Sequence, residues 1–156
     1  MMSDVTVGAA APDFDLETDD GRVSLGDLKG SKVVLYFYPK DDTSGCTREA
    51  IDFTGLADAF AATDAVVIGV SKDSVAKHAK FRAKHGLGVK LGSDPDGTVI
   101  ERYGSWVEKS LYGRKYMGID RSTFLIDRDG RIANVWRKVK VPGHAAAVLD
   151  AAKALA

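Results

Sequence analysis

Apolar and polar positions change rhythm several times along the chain, and each rhythm predicts an element. From Ala11 to Glu17 they alternate, the period of a half-buried strand. That run ends at Asp19-Asp20-Gly21, a hairpin-turn signal, with Val23-Ser24-Leu25 as its short return. Val33 to Tyr38 and Ala65 to Ser71 are almost continuously apolar, as strands buried on both faces are. The spacing predicts a helix from Cys46 to about Ala62, bent near Gly55. A second helix runs from Ser74 to His85, with Asp73 or Ser74 as cap and Gly86 as stop. A short strand follows around Val89 to Leu91, then a short helix from Asp96 to Tyr103. Trp106 to Met117 shows no clear period and reads as irregular, with Tyr112, Tyr116 and Met117 as a possible apolar wall. Thr123 to Asp127 and Arg131 to Val139 flank Asp129-Gly130, a strong hairpin signal, and an Ala-rich helix from Gly143 to Ala156 closes the chain. Strand-helix-strand-helix followed by a hairpin and a helix is the order of an α/β protein with a mixed sheet.

At 156 residues the chain is the size of one domain with a sizeable core, so one domain over 1–156 is expected. Lys and Arg number 22, Asp and Glu also 22. The balance, without a basic stripe, argues against nucleic acid or an anionic membrane surface as partner. No apolar segment is long enough to span a bilayer, and Met1 to Val5 lacks the charged-then-apolar order of a leader. There is one cysteine, which excludes an internal disulfide and a Cys-x-x-Cys redox pair, and suits a reducing, cytoplasmic setting. His78, His85 and His144 have no partner spacing for a metal and read as surface or capping residues. No Gly-rich phosphate loop follows a strand, so no nucleotide cofactor is expected.

The lone cysteine is where the chemistry gathers. Cys46 follows a polar loop, Pro39 to Gly45, between the Val33–Tyr38 strand and a helix. A thiol there meets unpaired N–H groups and the positive end of the helix dipole, both of which favour the thiolate. A buried, inert cysteine is the ordinary alternative, but such residues usually sit within an apolar pattern.

Pro39, Thr43 and Cys46 form Pro-x-x-x-Thr-x-x-Cys, which is the signature of the peroxiredoxins. The longer string Tyr36 to Ala50 resembles their Q-type branch, the bacterioferritin comigratory proteins. So do Tyr116 to Asp127, Ala11-Pro12-Asp13-Phe14 and Ser93 to Gly97, and the resemblance covers nearly the whole chain. It implies a thioredoxin-like fold, a mixed central sheet flanked by helices with an N-terminal hairpin. It also implies a thiol-dependent peroxidase in which the Cys46 thiolate attacks a hydroperoxide and becomes sulfenic acid. Carried over residue by residue, Thr43 turns its hydroxyl toward the peroxide, Arg121 supplies a guanidinium, and Pro39 walls the thiol from water. Each has a plainer reading: Thr43 as a turn residue, Arg121 as a surface arginine, Pro39 as the end of the strand. Glu49, one turn into the helix, either orients Arg121 or is a helix-surface carboxylate.

Acidifying the thiol does not suffice for such a reaction. Lowering its pKa from about 8.5 to about 6 raises the thiolate fraction at pH 7 roughly thirtyfold. With a Brønsted slope of about 0.4–0.5, nucleophilicity falls roughly tenfold or more over the same range. The net gain is about 1 kcal/mol or less. Fixed donors around the breaking O–O bond must therefore carry most of the catalysis.

The chain departs from the family in one consequential way. Many Q-type members carry a resolving cysteine five residues after the nucleophile, here Ile51, and others carry it on the next helix near Arg82. With neither, a 1-Cys mechanism is expected, with an external thiol reductant: thioredoxin, glutaredoxin or a small thiol. The resemblance implies a monomer. Two rivals remain at this stage: a non-catalytic peroxide sensor using the same cysteine, and a thioredoxin-like interaction module with an inert thiol.

Overall fold

The computed structural model describes residues 5–156. Met1 to Asp4, most of the stretch read for a leader, lie outside them. The sheet is built outward from β3 (Lys32–Phe37), which is buried along its whole length. Its alternate side chains enter two cores: Val33, Leu35 and Phe37 on one face, Val34 and Tyr36 on the other. Both faces are covered, which is why the run is continuously apolar. β4 (Ala65–Ser71) lies parallel to β3, and β5 (Lys90–Ser93) parallel to β4. On the other side of β3, β8 (Ser122–Ile126) and then β9 (Ile132–Trp136) pair antiparallel. The N-terminal hairpin, β1 (Asp15–Thr18) and β2 (Gly21–Ser24), joins antiparallel beyond β5. The seven strands run β2-β1-β5-β4-β3-β8-β9, the mixed sheet the pattern predicts.

Four of the five helices cover one face. α1 (Ser44–Gly55), α2 (Ala57–Ala62), α3 (Val75–His85) and α5 (His144–Ala154) bring Phe53, Phe60, Phe81 and Val148 to one core. α4 (Thr98–Arg102) brings Val99 and Ile100 to the other. The bend expected near Gly55 is a break between α1 and α2. α3 has the expected caps: Ser74 Oγ accepts from Lys77 N–H at 3.2 Å, and Gly86 is left-handed at φ 63°. Gly69 stands beside Tyr36 across β3 and β4, where a Cβ would come within 2.6 Å of the tyrosine ring. The missing side chain is what lets that ring lie flat on the sheet.

The segment read as irregular is ordered. Trp106–Leu111 (β6) and Arg114–Ile119 (β7) form a separate antiparallel hairpin. Its two turn residues, Tyr112 and Gly113, have φ of 51° and 79°, as a type I′ turn requires. Tyrosine is an unusual occupant of that turn, so its sequence signal is weak. Tyr112 is 96% exposed and Tyr116 and Met117 about half so, so they form no wall to a pocket. β9 ends at Trp136, short of the expected Val139.

Candidate active site

The loop from Pro39 to Thr43 delivers the chain into α1 with Thr43 at the N-cap, extended at φ −92° and ψ 155°. Cys46 is the third helical residue. Thr47 N–H makes the first bond back to Thr43 O at 2.8 Å, so those of Ser44, Gly45 and Cys46 precede the helical ladder. The thiol is recessed. Cys46 is 2% exposed and belongs to the core that holds Phe53 and Tyr36, a burial its polar sequence context does not announce.

Arg121 reaches this helix start from the segment between β7 and β8. Its carbonyl accepts from Val139 N–H, and its neighbour Asp120 is tied by its N–H to Ser105 O at 2.7 Å. Its guanidinium forks: Nη2 donates to Cys46 Sγ at 3.4 Å and Nη1 to Glu49 Oε1 at 2.7 Å. Cys46 and Glu49 lie three apart on one helix face, the spacing at which side chains meet a common partner. A Cβ on Gly45 would come within 3.2 Å of Arg121 Nη2, so glycine gives the guanidinium its place against the helix. Glu49 is 1% exposed and pairs with Arg121, so its reading as a surface carboxylate is corrected. Thr43 Oγ donates to Lys40 O at 2.8 Å, which commits its one proton and leaves its lone pairs free to accept. Pro39 is exposed at the end of β3. The structure thus brings Cys46 and Arg121 into contact, adds Glu49, sets Thr43 at the head of the same helix, and leaves Pro39 at the surface.

Two of the histidines are not surface residues. His78 is fully buried, with Nδ1 2.6 Å from Asp41 Oδ2 and Nε2 3.0 Å from Gly92 O. His144 is buried, with Nε2 2.8 Å from Thr123 Oγ1, and packs edge-on to Phe53 and Trp136. His85 bonds to Asp42. Such contacts join residues far apart in sequence and leave no periodic trace. Among the described residues no cluster of His, Cys, Asp and Glu could hold a metal.

Burial pushes Glu49 up to about 7, against the pull of Arg121; its Oε2 has no hydrogen-bond partner in the protein. Burial, aided by the Arg121 charge, lowers His144 to about 4. The two give opposite pH slopes. Between about 4.5 and 7 native Glu49 keeps a proton that the unfolded chain has lost, so its contribution to stability falls as pH rises. Between about 4 and 6.5 the unfolded chain carries the proton on His144 that the native state rejects, so that contribution rises. Glu49→Gln removes the falling slope. Denaturant midpoints for this variant should climb more steeply from pH 4.5 to 6.5 than those of the parent protein. Parallel curves would refute the Glu49 assignment.

The AhpC/TSA family model matches residues 7–135. A putative peroxiredoxin bcp of Coxiella burnetii is 53% identical over 146 residues, covering 93% of this chain and 97% of the relative. Peroxiredoxin Bcp of Bacillus subtilis is 50% identical over 150 residues, with 96% of both chains covered. Among solved structures, a bacterioferritin comigratory protein of Xanthomonas campestris, studied for alkyl peroxide reduction, superposes with a TM-score of 0.88 at 42% identity. That match covers 97% of this chain and 98% of the other. The fold is accordingly the thioredoxin-like one of these proteins. With a lone thiol at a helix start under a guanidinium and relatives of this kind over more than nine-tenths of its length, the chain belongs to the AhpC/TSA family and is a peroxiredoxin, a thiol-dependent peroxidase.

Proposed function

We propose that the chain, as one domain over 1–156, reduces hydrogen peroxide and organic hydroperoxides by a 1-Cys cycle at Cys46. The observation that carries this reading is the Arg121 Nη2 contact to Cys46 Sγ at 3.4 Å, at a helix start where no second cysteine exists in the chain. The Cys46 thiolate attacks one peroxide oxygen, an S–O bond forms and the O–O bond breaks. Sulfur is oxidised to sulfenic acid, and the departing oxygen takes up a proton to leave as water or an alcohol. Negative charge spreading over both oxygens meets the Arg121 guanidinium and the first N–H groups of α1. Thr43, its proton held by Lys40 O, accepts the hydrogen bond of the peroxide O–H. Pro39, having no N–H, shields the site from water.

An external thiol then attacks the sulfenic sulfur and expels water, and a second thiol frees Cys46 from the mixed disulfide. The reductant is thioredoxin, glutaredoxin or a small thiol. No described helix is long and apolar enough to cross a membrane, and a cytoplasmic monomer is the setting this cycle suits. Intact mass after one equivalent of hydrogen peroxide should show one added oxygen, trappable as a sulfenic adduct, on a monomer. Excess peroxide should add a second oxygen readily, since no nearby thiol competes for the sulfenate. Quantitative Cys46–Cys46 dimers would overturn the 1-Cys cycle. Failure of every thiol donor to recycle the protein would favour the sensor.

A further inference from the structure

The loop that carries Thr43 is pinned from below by a buried polar chain that the reaction itself does not use. Asp41 is its centre. Tyr38 Oη donates to Asp41 Oδ1, and Asp41 Oδ2 lies 2.6 Å from His78 Nδ1. All three side chains are buried. The Asp41 N–H donates to Asp73 Oδ2 at 2.7 Å, and Asp73 is itself held by Ser71 Oγ at 2.8 Å. The peptide plane that contains this N–H also contains the Lys40 carbonyl, the acceptor of the Thr43 hydroxyl. Turning that plane breaks both bonds at once. The next residue, Asp42, is left-handed at φ 60°, a conformation non-glycine residues keep only when held; Lys84 Nζ at 2.7 Å and His85 Nε2 at 2.8 Å hold it.

We infer that Asp41 and His78 are positioning residues for the peroxide reaction: through the Lys40–Asp41 peptide they set the direction in which the Thr43 hydroxyl presents its lone pairs. His78 is not a base. Its Nε2 faces Gly92 O, an acceptor only, and so carries a hydrogen; its Nδ1 is taken up by Asp41 Oδ2 at 2.6 Å. Both ring nitrogens are thus occupied within the protein. The inference rests on Thr43 contacting the hydroperoxide.

The test compares two reagents. Iodoacetamide needs only a reactive Cys46 thiolate, whereas hydrogen peroxide also needs the oriented hydroxyl. His78→Gln keeps a donor toward Gly92 O but loses the one to Asp41; His78→Asn does the reverse. The expectation is that Thr43→Val and His78→Gln each lower the second-order rate with hydrogen peroxide about tenfold or more. The iodoacetamide rate should stay within about twofold, and His78→Asn should recover most of the peroxide rate. If His78→Gln does not fold, Asp73→Ala, at a partly exposed site, frees the same peptide plane and should show the same selectivity. A normal peroxide rate in His78→Gln or Asp73→Ala beside a slow Thr43→Val overturns the inference alone. A normal rate in Thr43→Val overturns the reading beneath it. Equal losses toward both reagents assign His78 to the fold only and also overturn the inference.

Discussion

Arg121→Met lowers the second-order rate constant of Cys46 with hydrogen peroxide by about 10²–10³-fold, or about 2.7–4 kcal/mol of transition-state stabilisation. The methionine fills much of the same volume without charge or donors, so the loss reports electrostatics rather than a hole. Three features set the size of the effect. The Arg121 side chain is mostly buried, 17% exposed, so its charge is less screened than a surface one. Burial acts to lower its pKa, but Glu49 and Cys46 more than offset this and hold the charge in place. Finally, the contact is to the reacting sulfur itself. Arg121→Lys should recover only part of the rate, because an ammonium is a point charge without the rigid planar pair of nitrogens that spans Cys46 and Glu49. Stopped-flow tryptophan fluorescence measures the rates, with Cys46→Ser as the blank. A loss in Arg121→Met below about fivefold would place the stabilisation in the helix start alone.

Phe53→Ala destabilises the protein by about 3–5 kcal/mol, the cost of removing a buried aromatic side chain and leaving a cavity. Phe53 is fully buried in the last turns of α1 and links three parts of the core. It stacks on Tyr36 with centroids 4.8 Å apart, leans on Phe60 at 5.8 Å, and meets His144 edge-on at 6.1 Å. β3, α2 and α5 therefore all lose a neighbour together. The sheet cannot close the gap, because Tyr36 already lies over Gly69 and α1 is held at its other end by Arg121. For a chain of this size the midpoint of thermal unfolding should fall by about 6–20 °C. Calorimetry decides it. A loss under about 1 kcal/mol would mean that α1 and α5 collapse into the space, and that the aromatic cluster is less rigid than its geometry implies.

Much of this molecule could be read along the chain. β3 and β4 were legible because a strand covered on both faces is apolar at every position, and α3 because Ser74 and Gly86 mark its ends. The β8–β9 hairpin was legible from Asp129-Gly130. So was the place of Cys46 at a helix start, which follows from the order strand, polar loop, helix. The β6–β7 hairpin was not, because Tyr112 takes the first position of the type I′ turn, where Asn, Asp or Gly usually gives the signal.

By itself the sequence determined the order of elements outside the β6–β7 hairpin, the single thiol and its helix start, and the consequence that any disulfide must come from another molecule. These are local or countable properties, set by side-chain periodicity, turn chemistry and composition. The tertiary structure alone decided which polar groups would be buried together. Arg121 meets Glu49 across 72 positions, His78 meets Asp41 across 37, and His144 meets Thr123 across 21. Nothing in the local pattern marks such groups as buried. Each sits where an exposed residue of the same type would be unremarked, and only the packing of one element against another withdraws it from water and obliges it to find a partner.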